Sequence, residues 1–435
     1  MNTTGLPWHL TLMVNWVPVL FVAAYGACVG SLINVLVYRL PLGLPVVLPS
    51  SRCPSCESKL TWRENIPILG WIILGGRCRF CKTPISPEYP IVESFVAVLF
   101  AATYVVWYLP HASLFGIDLK PLAAVQPEWA RNGIASTWPA FVALLFLLGS
   151  LVAMTIVDFR TFTIPLILTW VPVAVAAVMF PLNAILAGEG LRRNAGTLGD
   201  WIIAIPSPDG WWWLGACAGC LVGLVVSNVM IGLGLIGRSF SDYDTWEAQA
   251  IAELKQEHPD AEQPGPDTPE LWVQYPHARR EMVRELAFLA APAGLAWAGA
   301  ILAQHLGSGA EMPLWVRAFV GVAMGYFIGG AVIWGIRILG SLLFGKEAMG
   351  LGDVHVLAAV GACMGWPDAV LTLFAAVIAG LGSAGVAAVR GGSTARMLAF
   401  GPCLAIGAVL VLFGKPAIEL GLTALLRSPE PINLP

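Results

Sequence analysis

Apolar runs of about 20 residues, separated by short polar stretches, recur along the whole chain. The first extends from about Val14 to Val37. Later runs cover about 90–108, 138–157, 163–187, 212–237, 286–304, 315–343, 354–366, 369–389 and 400–425. A helix needs about 20 consecutive apolar residues to cross a bilayer, and all but one of these runs reach that scale. Run 354–366 is short. It reads as half of a hairpin with 369–389, turned at Gly365-Trp366-Pro367-Asp368. The pattern predicts an all-α polytopic membrane protein of about eight to ten transmembrane helices.

Composition agrees with the pattern. The 435 residues are 57% hydrophobic and 12% charged, whereas a soluble domain carries about 25% charge. An ordinary water-soluble enzyme and a disordered chain are both excluded. A net charge of −3 leaves no basic footprint for nucleic acid. Residues 1–12 hold no Lys or Arg, so the first run lacks the positive flank of a cleavable signal and is expected to remain as a span.

The loop between Tyr38 and Tyr89 sets the orientation. It carries Arg39, Arg52, Lys59, Arg63, Arg77, Arg79 and Lys82 against Glu57, Glu64 and Glu88, which places it in the cytoplasm. Alternating sides from there puts Asp158, the polar segment 239–283, Asp353 and the Arg390–Arg396 loop on the same side, and Trp211–Trp213 at the outer interface. Segment 239–283 is acidic and rich in Pro near 264–269; a short surface helix is expected over 244–257 and a solvated loop beyond it. Gly and Ala in the spans are read as close-packing residues.

Four of the nine cysteines form two pairs in the cytoplasmic loop, Cys53-Pro-Ser-Cys56 and Cys78-Arg-Phe-Cys81. Each pair makes a turn that presents two thiolates, and two turns complete a tetrahedral four-sulfur site. Thiolate softness selects zinc over magnesium or calcium, and a reducing cytoplasm keeps the thiols free. A site closed by four protein ligands is structural, and it folds a polar loop too small for its own core. Unrelated loop cysteines or two disulfides are the competing reading. Cys28, Cys217, Cys220, Cys363 and Cys403 sit in apolar runs and read as small buried hydrophobes.

Ionisable residues at the ends of spans are costly and mark candidate chemistry. Asp158 closes one run, and Asp353 opens another within Gly350-Leu351-Gly352-Asp353. Each has a plain structural reading: Asp353 as a helix N-cap and Asp158 as a helix end reaching for water. Two aspartates at one membrane face can instead share a proton, because adjacent like charges do not both ionise. The ionised one then serves as general base on a water, and the protonated one polarises a peptide carbonyl and protonates the leaving amine. Glu93 reads as a helix-start residue, Asp368 as turn chemistry and Glu347 as a solvated loop residue near Asp353. No Gly-x-Ser-x-Gly or His-Glu-x-x-His occurs, and the six histidines are scattered.

These motifs come in a fixed order. Gly30-Ser31-Leu32-Ile33-Asn34 through Tyr38-Arg39-Leu40-Pro41 precedes the cysteine pairs. Asn65-Ile66-Pro67 and Pro84-Ile85-Ser86 through Tyr89-Pro90-Ile91-Val92-Glu93 surround the second pair. Asp158 is followed by Ile164-Pro165, Asp353 by Leu357-Ala358-Ala359 through Gly365-Trp366, and Phe400-Gly401-Pro402 comes last. The set resembles the bifunctional type IV prepilin peptidases, which are also prepilin N-methyltransferases, over about 25–170 and 345–410.

The resemblance implies an aspartyl peptidase of the bacterial cytoplasmic (inner) membrane. Asp158 and Asp353 would be its catalytic pair, Gly350 and Gly352 the support of the second. Its substrates would be type IV prepilins or pseudopilins, cut after a Gly at the cytoplasmic face and then methylated at the new N-terminus with S-adenosylmethionine. Membrane lipid surrounds it, and pilus or secretion assembly machinery is a candidate partner.

Two positions depart from the family pattern. Leu166 stands where Asp is common, and His355 stands where Lys is common. The stretch of about 189–283 has no counterpart in the resemblance. It reads either as a docking surface or as a passive loop.

The expected organisation is a first transmembrane helix over 1–37, a cytoplasmic four-cysteine zinc-binding domain over 38–89, and transmembrane helices with the first aspartate over 90–238. An acidic cytoplasmic insert follows over 239–283, then transmembrane helices with the Gly-x-Gly-Asp motif over 284–435. The reading from a different class is a transporter or channel whose membrane aspartates carry protons or cations. A peptidase that has lost methylation is a third.

Overall fold

The structure, a computed structural model, describes residues 8–109, 113–114, 117–187, 203–205, 208, 210–257, 275–307, 311–389 and 399–434. Residues 258–274 of the acidic segment and the Arg390–Arg396 loop lie outside the described residues. Twelve helices follow in chain order: α1 (Trp8–Arg39), α2 (Leu69–Ile73), α3 (Glu88–Tyr108), α4 (Ile134–Thr161), α5 (Leu166–Ala187) and α6 (Trp211–Gly232). Then come α7 (Tyr243–Glu257), α8 (Ala278–Leu306), α9 (Leu314–Phe344), α10 (Leu351–Met364), α11 (Trp366–Val389) and α12 (Phe400–Leu426). Among the described residues, nine of these are long and apolar enough to cross a membrane: α1, α3, α4, α5, α6, α8, α9, α11 and α12. The one strand pairing among them is a two-residue ribbon, Ser113–Leu114 against Ile117–Asp118.

Helix α10 is the short member, and the expected half-hairpin is what forms. Gly365, with φ 97°, breaks the chain between α10 and α11, a conformation open to Gly because it has no Cβ. The surface helix expected over 244–257 is α7. Large apolar side chains such as Phe21, Val225 and Ile378 stay exposed on the outside, which suits lipid rather than water.

The helices sort into a main bundle and a side pair. One buried apolar cluster unites residues of α1, α3, α4, α5, α9, α10, α11 and α12. A smaller cluster, with Cys217, Met312, Val316, Val320 and Met324, attaches α6 to α9. Helices α6 and α8 pack backbone to backbone. A side chain on Gly219 would meet the Leu295 carbonyl oxygen at 1.9 Å, and Gly215 and Gly223 face Gly299 and Pro292 in the same way. Small residues four apart allow this approach, which replaces the hydrophobic driving force that lipid removes. Gly325 of α9 meets Gly361 of α10 equally closely, and this contact seats α10 in the centre of the bundle.

Candidate active site and metal centre

The two aspartates arrive from opposite ends of two helices. Asp158 lies in the last turn of α4, where Phe162 in the left-handed region closes the helix with its N–H on the Asp158 carbonyl at 2.9 Å. The chain then turns through Ile164-Pro165 into α5. Asp353 lies in the first turn of α10. Gly350, not Asp353, is the N-cap, so the simple capping expectation gives way to a third-position carboxylate. From there its carboxylate turns back over Gly350, where an added Cβ would stand 3.4 Å from Asp353 Oδ2.

Both carboxylates are buried, Asp158 at 6% and Asp353 at 8% exposure, so Asp158 does not reach out to water. The first residues of α12 cover Asp158: the Gly401 N–H donates to its Oδ2 at 3.2 Å. The site tolerates no side chain there, since a Cβ on Gly401 would stand 2.5 Å from Asp158 Oδ2. Ile164 packs against both Gly401 and Gly352; a Cβ on Gly352 would meet its side chain at 3.2 Å. Thus α4, α10 and α12 converge through glycines around Ile164, with both buried carboxylates at the junction. Each carboxylate also meets a helix N-terminus, Asp158 that of α12 and Asp353 that of α10, where backbone N–H groups favour negative charge. The donation from Gly401 is a contact that residue spacing does not reveal.

Three further carboxylates differ from their expected roles. Asp368 is 1% exposed and pairs with Lys415 Nζ of α12 at 2.8 Å; it is an inter-helix ion pair rather than a turn residue. Glu93 is buried in α3 and accepts from the Ile68 N–H at 2.6 Å, so it ties the cysteine loop to the bundle. Glu347 pairs with Arg337 Nη1 at 2.5 Å. Of the apolar-run cysteines, Cys217, Cys363 and Cys403 are buried, Cys220 is half-buried and Cys28 is exposed.

The cysteine loop is built as two matching knuckles. In one, Arg52 bridges Lys59, the Cys53 N–H reaches the Ser58 carbonyl, and Glu57 has φ 54°. In the other, Arg77 bridges Pro84, the Cys78 N–H reaches the Thr83 carbonyl, and Lys82 has φ 61°. All four sulfurs lie within 4.8 Å of one another. Cys53 Sγ is 3.7 Å from Cys81 Sγ, and Cys56 Sγ is 3.9 Å from Cys78 Sγ. Four bonds of about 2.3 Å to one zinc at tetrahedral angles give sulfur separations of about 3.8 Å, so the donor set fits. The Thr83 hydroxyl, 3.3 Å from Cys81 Sγ, holds that thiol down to about 6, toward the thiolate a metal requires. The cluster can hold a metal ion.

Beside the knuckles, a cavity of about 290 Å³ is lined by Leu32, Val35, Arg39, Trp62 and Asn65 among others. Arg39 is committed to the carbonyls of Pro45, Val46 and Pro49, and the lining has no carboxylate to take a ribose. This cavity does not by itself make a site for S-adenosylmethionine.

Comparison with known proteins gives two family matches. Residues 24–107 match the Bacterial Peptidase A24 N-terminal domain, and residues 289–385 match the Type IV leader peptidase family. The four paired cysteines fall in the first stretch, and Gly350, Gly352 and Asp353 in the second. Asp158 lies between them.

The chain is 41% identical over 139 residues to a prepilin leader peptidase/N-methyltransferase of Myxococcus xanthus, covering 30% of this chain and 41% of that protein. It is 43% identical over 91 residues to one of Klebsiella pneumoniae, covering 20% and 39%. Against a type 4 prepilin-like proteins leader peptide-processing enzyme of Escherichia coli it is 28% identical over 217 residues, covering 42% and 77%. The chain thus spans about four-tenths of the length of the first two relatives. No solved structure matches. Nothing in these matches favours a transporter.

Proposed function

We propose that this protein is a membrane-embedded aspartyl endopeptidase that removes the leader of type IV prepilins or pseudopilins and then N-methylates the new terminus. The observation that carries the reading is the convergence of two helix ends from different parts of the chain, each with a buried aspartate, Asp158 and Asp353, around Ile164, Gly352 and Gly401. The names of the relatives supply the substrate class.

In this reading Asp158 and Asp353 share one proton. The ionised carboxylate takes a proton from water as the water oxygen attacks the scissile carbonyl. The protonated carboxylate donates to the carbonyl oxygen, and the proton from the water goes on to the leaving amine. Burial excludes bulk water and strengthens each of these contacts. The Gly401 N–H orients the Asp158 carboxylate. Cys53, Cys56, Cys78 and Cys81 hold zinc, whose role is to fold the loop. S-adenosylmethionine supplies the methyl group. The active site faces the cytoplasm across the bacterial inner membrane, following the basic loop of 38–89. Segments 1–37, 90–238 and 284–435 form the membrane part and 239–283 the cytoplasmic insert.

The test incubates the purified protein with a prepilin that has a basic leader and a Gly-Phe junction, with S-adenosylmethionine present, and reads the N-terminus by mass spectrometry. Loss of the leader plus an added methyl group is expected. Leader loss without the methyl group retains the peptidase alone. An intact leader on several such substrates returns the transport reading to the front.

A further inference from the structure

Arg337 is the most buried charge in α9, at 2% exposure, and it takes no part in the proton transfers of the aspartates. Its guanidinium faces three ways. Nε and Nη2 reach Glu285 of α8 at 3.2–3.3 Å, and Glu285 is itself buried and takes a further bond from Trp334 Nε1 at 2.7 Å. Nη1 reaches Glu347 and the Met349 carbonyl. The Phe240 ring lies 5.3 Å from Cζ and covers it from the loop after α6.

Met349 directly precedes Gly350, the N-cap of α10. The turn between α9 and α10 is therefore pinned where it delivers Asp353. Ser341 adds to the clamp by accepting from the Ala348 N–H at 3.0 Å. The charged and titratable groups that act on Asp353 are Asp158 from α4 and Arg337 from α9, with the Cys403 thiol of α12 nearby. Helix α5 carries no titratable side chain, and Asp368 of α11 is paired with Lys415. Arg337 is the cation of this group.

We propose that Arg337 is a positioning residue for Asp353: its fork locks the Glu347–Met349 turn against α9, and Glu285 of α8 holds it in place. The α6–α8 side pair is thereby joined to the chemistry, which a passive insert would not be. Arg279 extends the same join, with Nε on the Leu342 carbonyl at 3.0 Å at the end of α9. Planar bidentate geometry suits Arg and not Lys. This role rests on the leader-peptidase reading.

The experiment compares full-length wild type, R337M, R337K, the double variant E285Q/R337M and D353A in detergent. It reads kcat and KM for leader cleavage, the melting midpoint, and amide exchange over 345–352. R337M should lose about 100-fold in kcat, the cost of a small misplacement of a reacting group, with KM little changed. R337K should recover part of that loss, because it returns the charge without the fork.

R337M also leaves Glu285 buried without its cation, which destabilises the fold; the double variant removes that charge and should regain the melting midpoint. Its kcat should stay low and its 345–352 amides should exchange faster than in wild type. A double variant that regains kcat along with stability, or an R337M that cuts at the wild-type rate, overturns the positioning role while leaving the peptidase reading intact. A wild type that leaves the leader whole overturns both.

Discussion

The cysteine loop and the aspartate bundle are assembled by different forces. Between Gly43 and Pro87 few side chains are buried, and among its cysteines only Cys53 and Cys78 are. Two isolated bridges, two left-handed residues and four sulfurs give the knuckles their shape. Around Asp158 and Asp353 the opposite holds: Val157, Val354, Val356 and Leu357 are almost fully buried within one apolar cluster. A region with little core depends on its ligands, whereas a packed region depends on shape. The same chain can therefore lose one site and keep the other.

The largest effect that separates the two regions should come from the carboxylates. Asp158→Ala or Asp353→Ala should each remove nearly all leader cleavage, a loss of about a thousandfold or more for residues acting as a unit. Metal content, measured by elemental analysis, should stay at the wild-type value. Next comes Gly401→Ala, whose new methyl group enters the space of Asp158 Oδ2. It should cost about 100-fold in kcat through displacement of that carboxylate, read by the same cleavage assay.

Stripping the metal with a chelator acts on the other region. Proteolysis within 53–81 should become rapid and the four thiols should react with alkylating reagents, while helix content by circular dichroism holds. The smallest effect should come from Glu93→Ala, which leaves the Ile68 N–H without its acceptor. A loss of about 1–3 kcal/mol is expected, seen as faster loop proteolysis with cleavage nearly unchanged.

How much of this is legible in the sequence depends on distance along the chain. Span positions come from local apolar runs, and the knuckles come from Cys-x-x-Cys spacing, so both are readable residue by residue. Gly350-Leu351-Gly352-Asp353 is likewise local. Asp368 is legible only as a turn residue because its partner, Lys415, is on another helix. Glu347 reads as solvated because Arg337 lies further back on α9, and Glu285 further still. Glu93 reads as a helix start, but α3 begins at Glu88 and its bond to Ile68 depends on how the loop folds back. The Gly401 donation to Asp158 spans 243 residues. Pairings made by tertiary packing leave no periodic trace.

The proposed function gives peptide cleavage to the aspartate bundle and to the cysteine loop only the shaping of its own neighbourhood. The most direct test is leader cleavage measured side by side in wild type, metal-stripped wild type, and fully metallated Asp158→Ala and Asp353→Ala proteins. Cleavage is expected in the first two and none in the last two. Cleavage that disappears with the metal but survives either substitution would contradict the assignment.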